Sequence, residues 1–287
     1  MPKFMQHGNE IVFLLTTFNR VSLTLRCLSS IASQVANFQA VVVDDASEDC
    51  TPDYIKEYFP NVHILSTGGN LYWAAGMKLA QDYALKSFPG LKQLFFLNDD
   101  VELMDGTLDR MLELSQGFPN SVIVGSVVDP KTSIVAYGGL KKIGRHPMRY
   151  QLIDIASNVI EVDVFHGNLL LIPKEVLISV GGIDGTYQHA YADFDLAIRL
   201  RDIGIKAYLL PGVAGYCSPN LLHMAHSDFF SKIQFTFSPK GRPFRSQFRY
   251  MKRHGPSIIW VFFVISPYFR ILLNGVLHAF GVRGRKN

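Results

Sequence analysis

The segment Leu94-Phe95-Phe96-Leu97-Asn98-Asp99-Asp100 limits the fold of this chain more than any other. Four bulky apolar residues in a row fit a strand buried on both faces, as in a parallel sheet covered by helices. The run stops at two adjacent carboxylates. These lie at the carboxyl end of the strand, the edge where open α/β sheets keep their ligand crevices. Adjacent like charges repel, and they become useful when a cation sits between them and an anion. Holding a divalent metal against a diphosphate makes that demand.

The same punctuation recurs upstream. Residues 11–15 are apolar and run into Thr16-Thr17-Phe18-Asn19-Arg20, and residues 40–43 run into Asp44-Asp45-Ala46-Ser47. Residues 62–65 make a third short strand and 93–97 the fourth. Helical spacing falls between them at 23–35, at 52–59 with Thr51 as N-cap, and at 74–85. A helix over 104–115 and a strand over 122–124 continue the series. This alternation predicts an α/β fold with a mostly parallel sheet between helices. From 134 to 164 the pattern changes to short strands and turns. Lys141, Lys142, Arg145 and Arg149 lie there in a Gly/Pro-broken stretch expected to be a mobile loop. A strand over 168–172, helices over 173–180 and 192–203, and a last strand over 206–210, ending before Pro211, complete the order.

The length of 287 residues suits one large α/β domain, with or without an appendage. A net charge of +4 gives no reason to expect a nucleic-acid partner. Cys27, Cys50 and Cys217 have neither metal nor redox spacing, and the first ten residues lack a signal-peptide core, so a reducing cytoplasm is expected. Positive charge gathers near the C-terminus, at Lys240, Arg242, Arg245, Arg249, Lys252 and Arg253, with Phe244, Phe248 and Tyr250 between them. Apolar stretches at 258–265 and 271–282 follow, separated by Pro267 and Arg270. A spanning helix needs roughly 20 uninterrupted apolar residues. The expectation is two shorter amphipathic or re-entrant pieces in the membrane interface, with the basic cluster on anionic lipid. The chain then divides into an α/β part, 1–215, and a membrane-associating helical part, 216–287.

Six segments carry a resemblance. In order they are Thr16-Thr17-Phe18-Asn19-Arg20, Val43-Asp44-Asp45-Ala46-Ser47, Leu97-Asn98-Asp99-Asp100-Val101, Gly167-Asn168-Leu169-Leu170-Leu171-Ile172, Gly181-Gly182-Ile183-Asp184 and Ala192-Asp193-Phe194-Asp195-Leu196. Together they resemble the family 2 glycosyltransferases of GT-A fold, a Rossmann-like sheet flanked by helices. Leu71-Tyr72-Trp73-Ala74-Ala75-Gly76-Met77 adds a likeness to the bacterial rhamnosyltransferase-type enzymes of surface-polysaccharide assembly.

The resemblance implies roles. Thr17, Asn19 and Asp44 or Asp45 match positions on the nucleotide base and ribose. Asn98-Asp99-Asp100 matches the metal motif, with Asp100 the direct ligand of Mg²⁺ or Mn²⁺ and Asp99 nearer the ribose or donor. Asp193 matches the general base, although Ala192 replaces the usual preceding Glu. The slot of a third metal contact, a His in many relatives, falls at Cys217, with His223 or His226 as substitutes. Asn168 matches the acceptor side, and Trp73 or Tyr72 can stack on a sugar or pack in the core.

These roles agree with the chemistry. Sugar transfer passes through an oxocarbenium-like state while charge builds on the leaving diphosphate, and a carboxylate must take the acceptor's proton. The implied activity is an inverting, metal-dependent transfer from a nucleotide-diphosphate sugar, dTDP-rhamnose or a UDP-sugar. The implied acceptor is a saccharide, lipid-linked, at the inner face of the cell membrane, and a homodimer is a further expected partnership. Three other classes compete. A sugar-nucleotide pyrophosphorylase needs a Gly-rich loop after the first strand, which residues 16–20 lack. A Rossmann dehydrogenase needs G-x-G-x-x-G after a strand, also missing. A non-catalytic scaffold descended from a transferase is left open by Ala192 and Cys217 and opposed by Asp100 and Asp193.

Overall fold

A computed structural model describes residues 10–35, 37–146, 148–188, 190–218, 233–234, 236–238 and 243–279. The apolar runs become parallel strands β1 (Ile11–Thr17), β2 (Gln39–Asp44), β3 (Val62–Ser66) and β4 (Gln93–Leu97), in spatial order β4-β1-β2-β3. Helices α1 (Val21–Ala32), α2 (Thr51–Tyr58) and α3 (Tyr72–Ser87) connect them. Successive side chains alternate between the faces of the sheet. Val12, Leu14, Leu94 and Phe96 pack with Ala74, Met77 and Ala80 of α3. Phe13, Leu15, Phe95 and Leu97 pack on the opposite face with Cys27, Leu28 and Ile31 of α1. Both faces are covered, which explains why these strands are apolar throughout.

The chain continues as β5 (Glu102–Leu103), α4 (Thr107–Gly117), β6 (Val122–Val128), β7 (Val135–Tyr137), β8 (Gly139–Lys142), β9 (Tyr150–Leu152), β10 (Ile160–Val162), β11 (Val164–Phe165), β12 (Leu169–Pro173), α5 (Lys174–Ser179), α6 (Ala192–Asp202) and β13 (Ala207–Tyr216). The main sheet runs β10-β13-β6-β12-β4-β1-β2-β3, with β5 on β13 and β7 on β6. Strand β12 is antiparallel to both β4 and β6. It therefore starts where the parallel strands end. Residues 166–168, just before it, share an edge with the segments that follow β1, β2 and β4. The amide of Asn98 closes that edge by donating to the carbonyl of Asn168 at 3.0 Å.

Several local expectations change. Of the stretch expected to be a mobile loop, Lys141 and Lys142 belong to β8, paired with β9 in a three-stranded sheet with β11, while Arg145 and Arg149 lie between the two strands. The Lys142 ammonium sits 4.5 Å from the Tyr150 ring centroid, a cation–π contact across that pair. Thr51 is inside α2, and Cys50, with φ 59°, takes the N-cap position. Asp49 supplies the capping oxygen, accepting from the Thr51 amide and hydroxyl. Strand β13 passes through Pro211, because register shifts between Leu209 and Val213 absorb the missing donor.

The largest change is C-terminal. Helix α7 (Phe244–His254) and a 3₁₀ turn at Ser257–Ile259 lead into α8 (Trp260–Ala279), one helix that contains Pro267 where two pieces were expected. Proline offers no N–H to the carbonyl four residues back, here Phe263. The fully buried Gln247 of α7 replaces that donor: its Nε2 donates to the carbonyls of Phe263 at 2.9 Å and Val264 at 3.1 Å. Tyr250, Met251 and Val264 join the same core as β1, β4 and α6. Arg249 and Arg253, expected on lipid, bond Asp184 and Asp195 instead. Among the described residues, no helix is long and apolar enough to cross a membrane.

Candidate active site

Three strand ends and one helix start converge. Thr17 ends β1, Asp44 ends β2, Asn98 to Asp100 follow β4, and Asp193 lies in the first turn of α6. Thr17 is buried, and its hydroxyl shares a 2.8 Å hydrogen bond with that of Thr24, so it supports the floor of the site. Asn19, with φ 52°, donates its amide to Ser47 Oγ at 2.8 Å and accepts from the Glu48 amide at 2.7 Å. It thereby ties the loop after β1 to the loop after β2.

The two carboxylates after β2 differ. Asp45 uses both oxygens on the neighbouring loop, accepting from the Thr67 hydroxyl and the Leu71 and Tyr72 amides at 3.0–3.1 Å. Asp44 Oδ2 accepts from the Ser47 amide, while its buried Oδ1 has no partner among the described residues. A buried acceptor without a donor costs free energy unless a ligand supplies one. Asp44 Oδ1 is thus an open acceptor at the strand edge.

Asp99 and Asp100 share one cation, Arg20. Its Nη1 donates to Asp99 Oδ1 at 3.1 Å and to Asp100 Oδ2 at 2.9 Å. Burial raises the Asp99 carboxyl to about 6, against the opposing pull of Arg20. Asp100 Oδ1 is buried and has no hydrogen-bond partner among the described residues. Asn98 accepts from the Trp73 indole N–H at 2.8 Å, so its amide serves the indole.

The residues fit a hard divalent ion in part. Two carboxylates with one open oxygen supply oxygen ligands suited to Mg²⁺ or Mn²⁺. Cys217 is buried nearby, and burial together with the Asp100 charge pushes its thiol pKa far up, so it stays protonated and soft. Among the described residues no group of three or more His, Cys, Asp and Glu is placed to hold a metal. The set is therefore at most half of such a site. His223 and His226 lie outside the described residues.

Asp193 and Trp73 both lie against Gly167. Its Oδ2 accepts from the Gly167 amide at 3.1 Å and its Oδ1 from the Phe194 amide at 2.9 Å. Burial raises its carboxyl to about 6, with these amides opposing. A Cβ added at Gly167 would lie 2.4 Å from the Trp73 ring and 3.5 Å from Asp193 Cβ, so only glycine lets ring and backbone approach this closely. The Trp73 indole thus touches Asn98 with its nitrogen and Gly167 with its ring. His166 is kept neutral by burial, its pKa lowered to about 4, and its Nδ1 accepts from the Gly138 amide at 3.3 Å. Asn168 is buried at the same edge.

The sequence pattern led to the carboxylates but not to Arg20. The available signal was its position: a basic residue in the first strand-end loop, facing two acidic pairs. Asp195, two residues beyond Asp193, has a structural task. Fully buried, it accepts from Tyr187, Arg199, Arg253 and His254 at 2.7–3.1 Å.

Comparisons with known proteins agree with this geometry. Residues 13–181 match the family model described as Glycosyl transferase family 2. The chain is 26% identical over 210 residues to the N-acetylglucosaminyl-diphospho-decaprenol L-rhamnosyltransferase of Mycobacterium tuberculosis, covering 65% of this chain and 67% of that protein. A structure of GalNAc-T7 with UDP, GalNAc and Mn²⁺ superposes with TM-score 0.59 at 14% identity, over 73% of this chain and 43% of the other. S. aureus TarS 1–349 in complex with UDP superposes with TM-score 0.54 at 12% identity, over 74% and 61%. Identities this low speak for the fold alone, and this chain spans less than two thirds of either solved chain. Asp193 lies beyond the stretch that the family model matches.

Proposed function

From the premise that this chain belongs to glycosyl transferase family 2, and has the GT-A fold of its structural neighbours, we propose an inverting transfer from a nucleotide-diphosphate sugar to a lipid-linked saccharide. The observation that carries the reading is that Trp73 joins the two segments: its indole N–H bonds Asn98, next to Asp99 and Asp100, and its ring packs on Gly167, whose amide donates to Asp193. In this reading the donor diphosphate lies at Asp99 and Asp100 and the acceptor hydroxyl at Asp193.

Each residue has a task in this reading. Asp44 Oδ1 accepts from the ribose or base. Asp99 and Asp100 hold a divalent ion, which when bound offsets charge on the leaving diphosphate. Asp193, with a carboxyl near 6, is ionised at neutral pH yet basic enough to take the acceptor proton. Gly167 and Phe194 amides orient it. His166, neutral, offers its other ring nitrogen as a donor at the acceptor edge. Asn168 belongs to the same wall.

The name of the mycobacterial relative suggests dTDP-rhamnose as donor and a polyprenyl-diphosphate-linked amino sugar as acceptor, and UDP-sugars are the second donor class. A thermal-shift screen of UDP, dTDP and GDP with Mg²⁺ or Mn²⁺ selects the nucleotide, since a ligand of the native state raises the melting temperature. Transfer is then measured for Asp100→Ala and Asp193→Asn. If neither loses activity, the assignment fails and the scaffold reading replaces it.

The division at residue 215 belongs to the proposal, with 216–287 as the membrane-facing part. Supporting it, Ile258, Phe262, Ile265, Phe269 and Leu273 form an exposed stripe at helical spacing, with Ile258 86% and Phe262 67% accessible. Exposed Arg245, Lys252 and Arg270 accompany it, as expected for an interfacial helix at the inner face of the cell membrane. Ile258→Asp with Phe262→Asp should reduce sedimentation with anionic liposomes. If the pair of changes instead splits a homodimer and leaves liposome binding intact, the membrane reading is wrong.

A further inference from the structure

We propose that Arg20 is a resident counter-cation of the Asp99–Asp100 pair, displaced when a divalent ion enters and then taken up by the donor diphosphate. This rests on the reading of Asp99 and Asp100 as half of a metal site.

The geometry gives Arg20 an unusual position. A single nitrogen bridges two carboxylates from separate residues, at 3.1 and 2.9 Å. The pair is nearly buried, with side-chain exposures of 7% for Asp99 and 12% for Asp100. Two adjacent carboxylates at that depth need a positive partner in every state of the protein, because the desolvation cost of unpaired charge is high. Without ligand the partner is Arg20. A divalent ion on the open Asp100 Oδ1 would share that carboxylate with a guanidinium of like sign on Oδ2, and the two repel.

The surroundings allow the guanidinium to leave. The backbone of Arg20 is fixed, since its carbonyl accepts from the Thr24 amide at 2.9 Å and the Thr24 hydroxyl at 3.0 Å. Its side chain borders a cavity of about 460 Å³, lined also by Arg26, Asp100, Tyr216, Cys217 and Ser218. The cavity gives the long side chain somewhere to turn without moving the loop. Arg26 lines the same wall with Glu102 offsetting its charge, so Arg20 is the cation that an anion in this space would reach once it leaves the carboxylates. A planar guanidinium pairs with phosphate oxygens at least as well as with carboxylates. Arg20 therefore exchanges one anionic partner for another: carboxylates when the site holds no ligand, diphosphate when the ion arrives with the donor.

The consequence is thermodynamic coupling. Metal alone must overcome Arg20. Metal with diphosphate does not, because the diphosphate offers Arg20 a new partner. Each ligand then tightens the other by the same factor.

The test uses Mn²⁺ as probe, with free ion read by electron paramagnetic resonance, in the presence and absence of UDP or dTDP. For the wild-type chain, Mn²⁺ alone should bind weakly, and nucleotide diphosphate should tighten it by about tenfold or more. Arg20→Met should tighten Mn²⁺ alone by a similar factor and abolish most of the coupling. Arg20→Lys, which keeps the charge, should stay near wild type. Arg20→Gln, which removes charge but keeps a donor on the carboxylates, replaces the Met variant if that one melts early, with the same expectation. A folded Met or Gln variant with wild-type Mn²⁺ affinity and undiminished coupling overturns the proposal. Asp100→Asn provides the separate control: if it binds Mn²⁺ with nucleotide as well as wild type does, the half-site reading itself is wrong, whatever Arg20 does.

Discussion

Arg253 donates to Asp195 at 2.8 Å, joining the last turn of α7 to the first turn of the helix that carries Asp193. His254 bonds the same oxygen at 2.8 Å, and Arg199 bonds the other at 2.7 Å. Hydrogen bonds and nearby positive charge hold the Asp195 carboxyl well below its usual range, overcoming its burial. Asp195→Ala should cost about 3–5 kcal/mol, because it leaves several cationic groups without their shared anion. Arg253→Met should cost only about 1 kcal/mol, since that side chain is 40% exposed and solvent screens it. Urea unfolding measures both. A truncation at the start of α7 should therefore impair folding as well as any membrane contact.

The helix that runs through Pro267 gives a second expectation. Gln247→Leu leaves the Phe263 carbonyl buried without a donor and should cost about 1–3 kcal/mol. Pro267→Ala restores an N–H to that carbonyl, so the Leu variant should lose less in the Ala background. A double-mutant cycle by urea unfolding detects the coupling, and additive effects would count against the assigned role of Gln247.

Gly167→Ala should destabilise the fold by about 1–3 kcal/mol through overpacking against the Trp73 ring. It should also lower turnover, because the ring is displaced between Asn98 and Asp193. Trp73→Phe removes the ring atoms at the clash and should recover part of the stability. Activity should stay low in the double variant, since the indole N–H to Asn98 is gone.

The pH dependence has a sign that separates function from structure. Asp193 and Asp99 are raised to about 6, above the ordinary carboxyl range near 4, so the folded chain holds protons that the unfolded chain has released. Their contribution makes stability fall as pH rises from about 4 to 6. Asp195 acts oppositely: its stabilisation is present above about pH 4 and is lost as pH falls further. Asp193→Asn should therefore raise stability at pH 7 by on the order of 1 kcal/mol while lowering transfer about 10²–10⁴-fold. The wild-type kcat should have an acid limb centred near pH 6. A flat profile from pH 5 to 8 would remove Asp193 from proton transfer.

The sheet and its acidic edge were legible in the sequence because burial on both faces leaves unbroken apolar runs, and those runs end in the polar residues of that edge. What stayed hidden depended on distant partners. Arg20 acquires its meaning from carboxylates 79 and 80 residues away. Pro267 reads as a helix breaker until Gln247 is seen to replace its missing donor. Arg249 and Arg253 read as a lipid-facing charge cluster until Asp184 and Asp195 appear opposite them. Asn98 reads as part of the metal motif, while its partner is the indole of Trp73. Local pattern carries periodicity and chain punctuation, but not which distant group satisfies a given polar atom.

The chain has two tryptophans, and the fold has assigned them to different places. Trp73 joins the two segments of the candidate site, and Trp260 begins the helix that carries the exposed apolar stripe. Under the proposed function, emission remaining in Trp260→Phe should follow donor-sugar occupancy, and emission remaining in Trp73→Phe should follow immersion of α8. The two rings would then be separate optical gauges, timing by stopped flow the order in which donor and bilayer engage without an added dye.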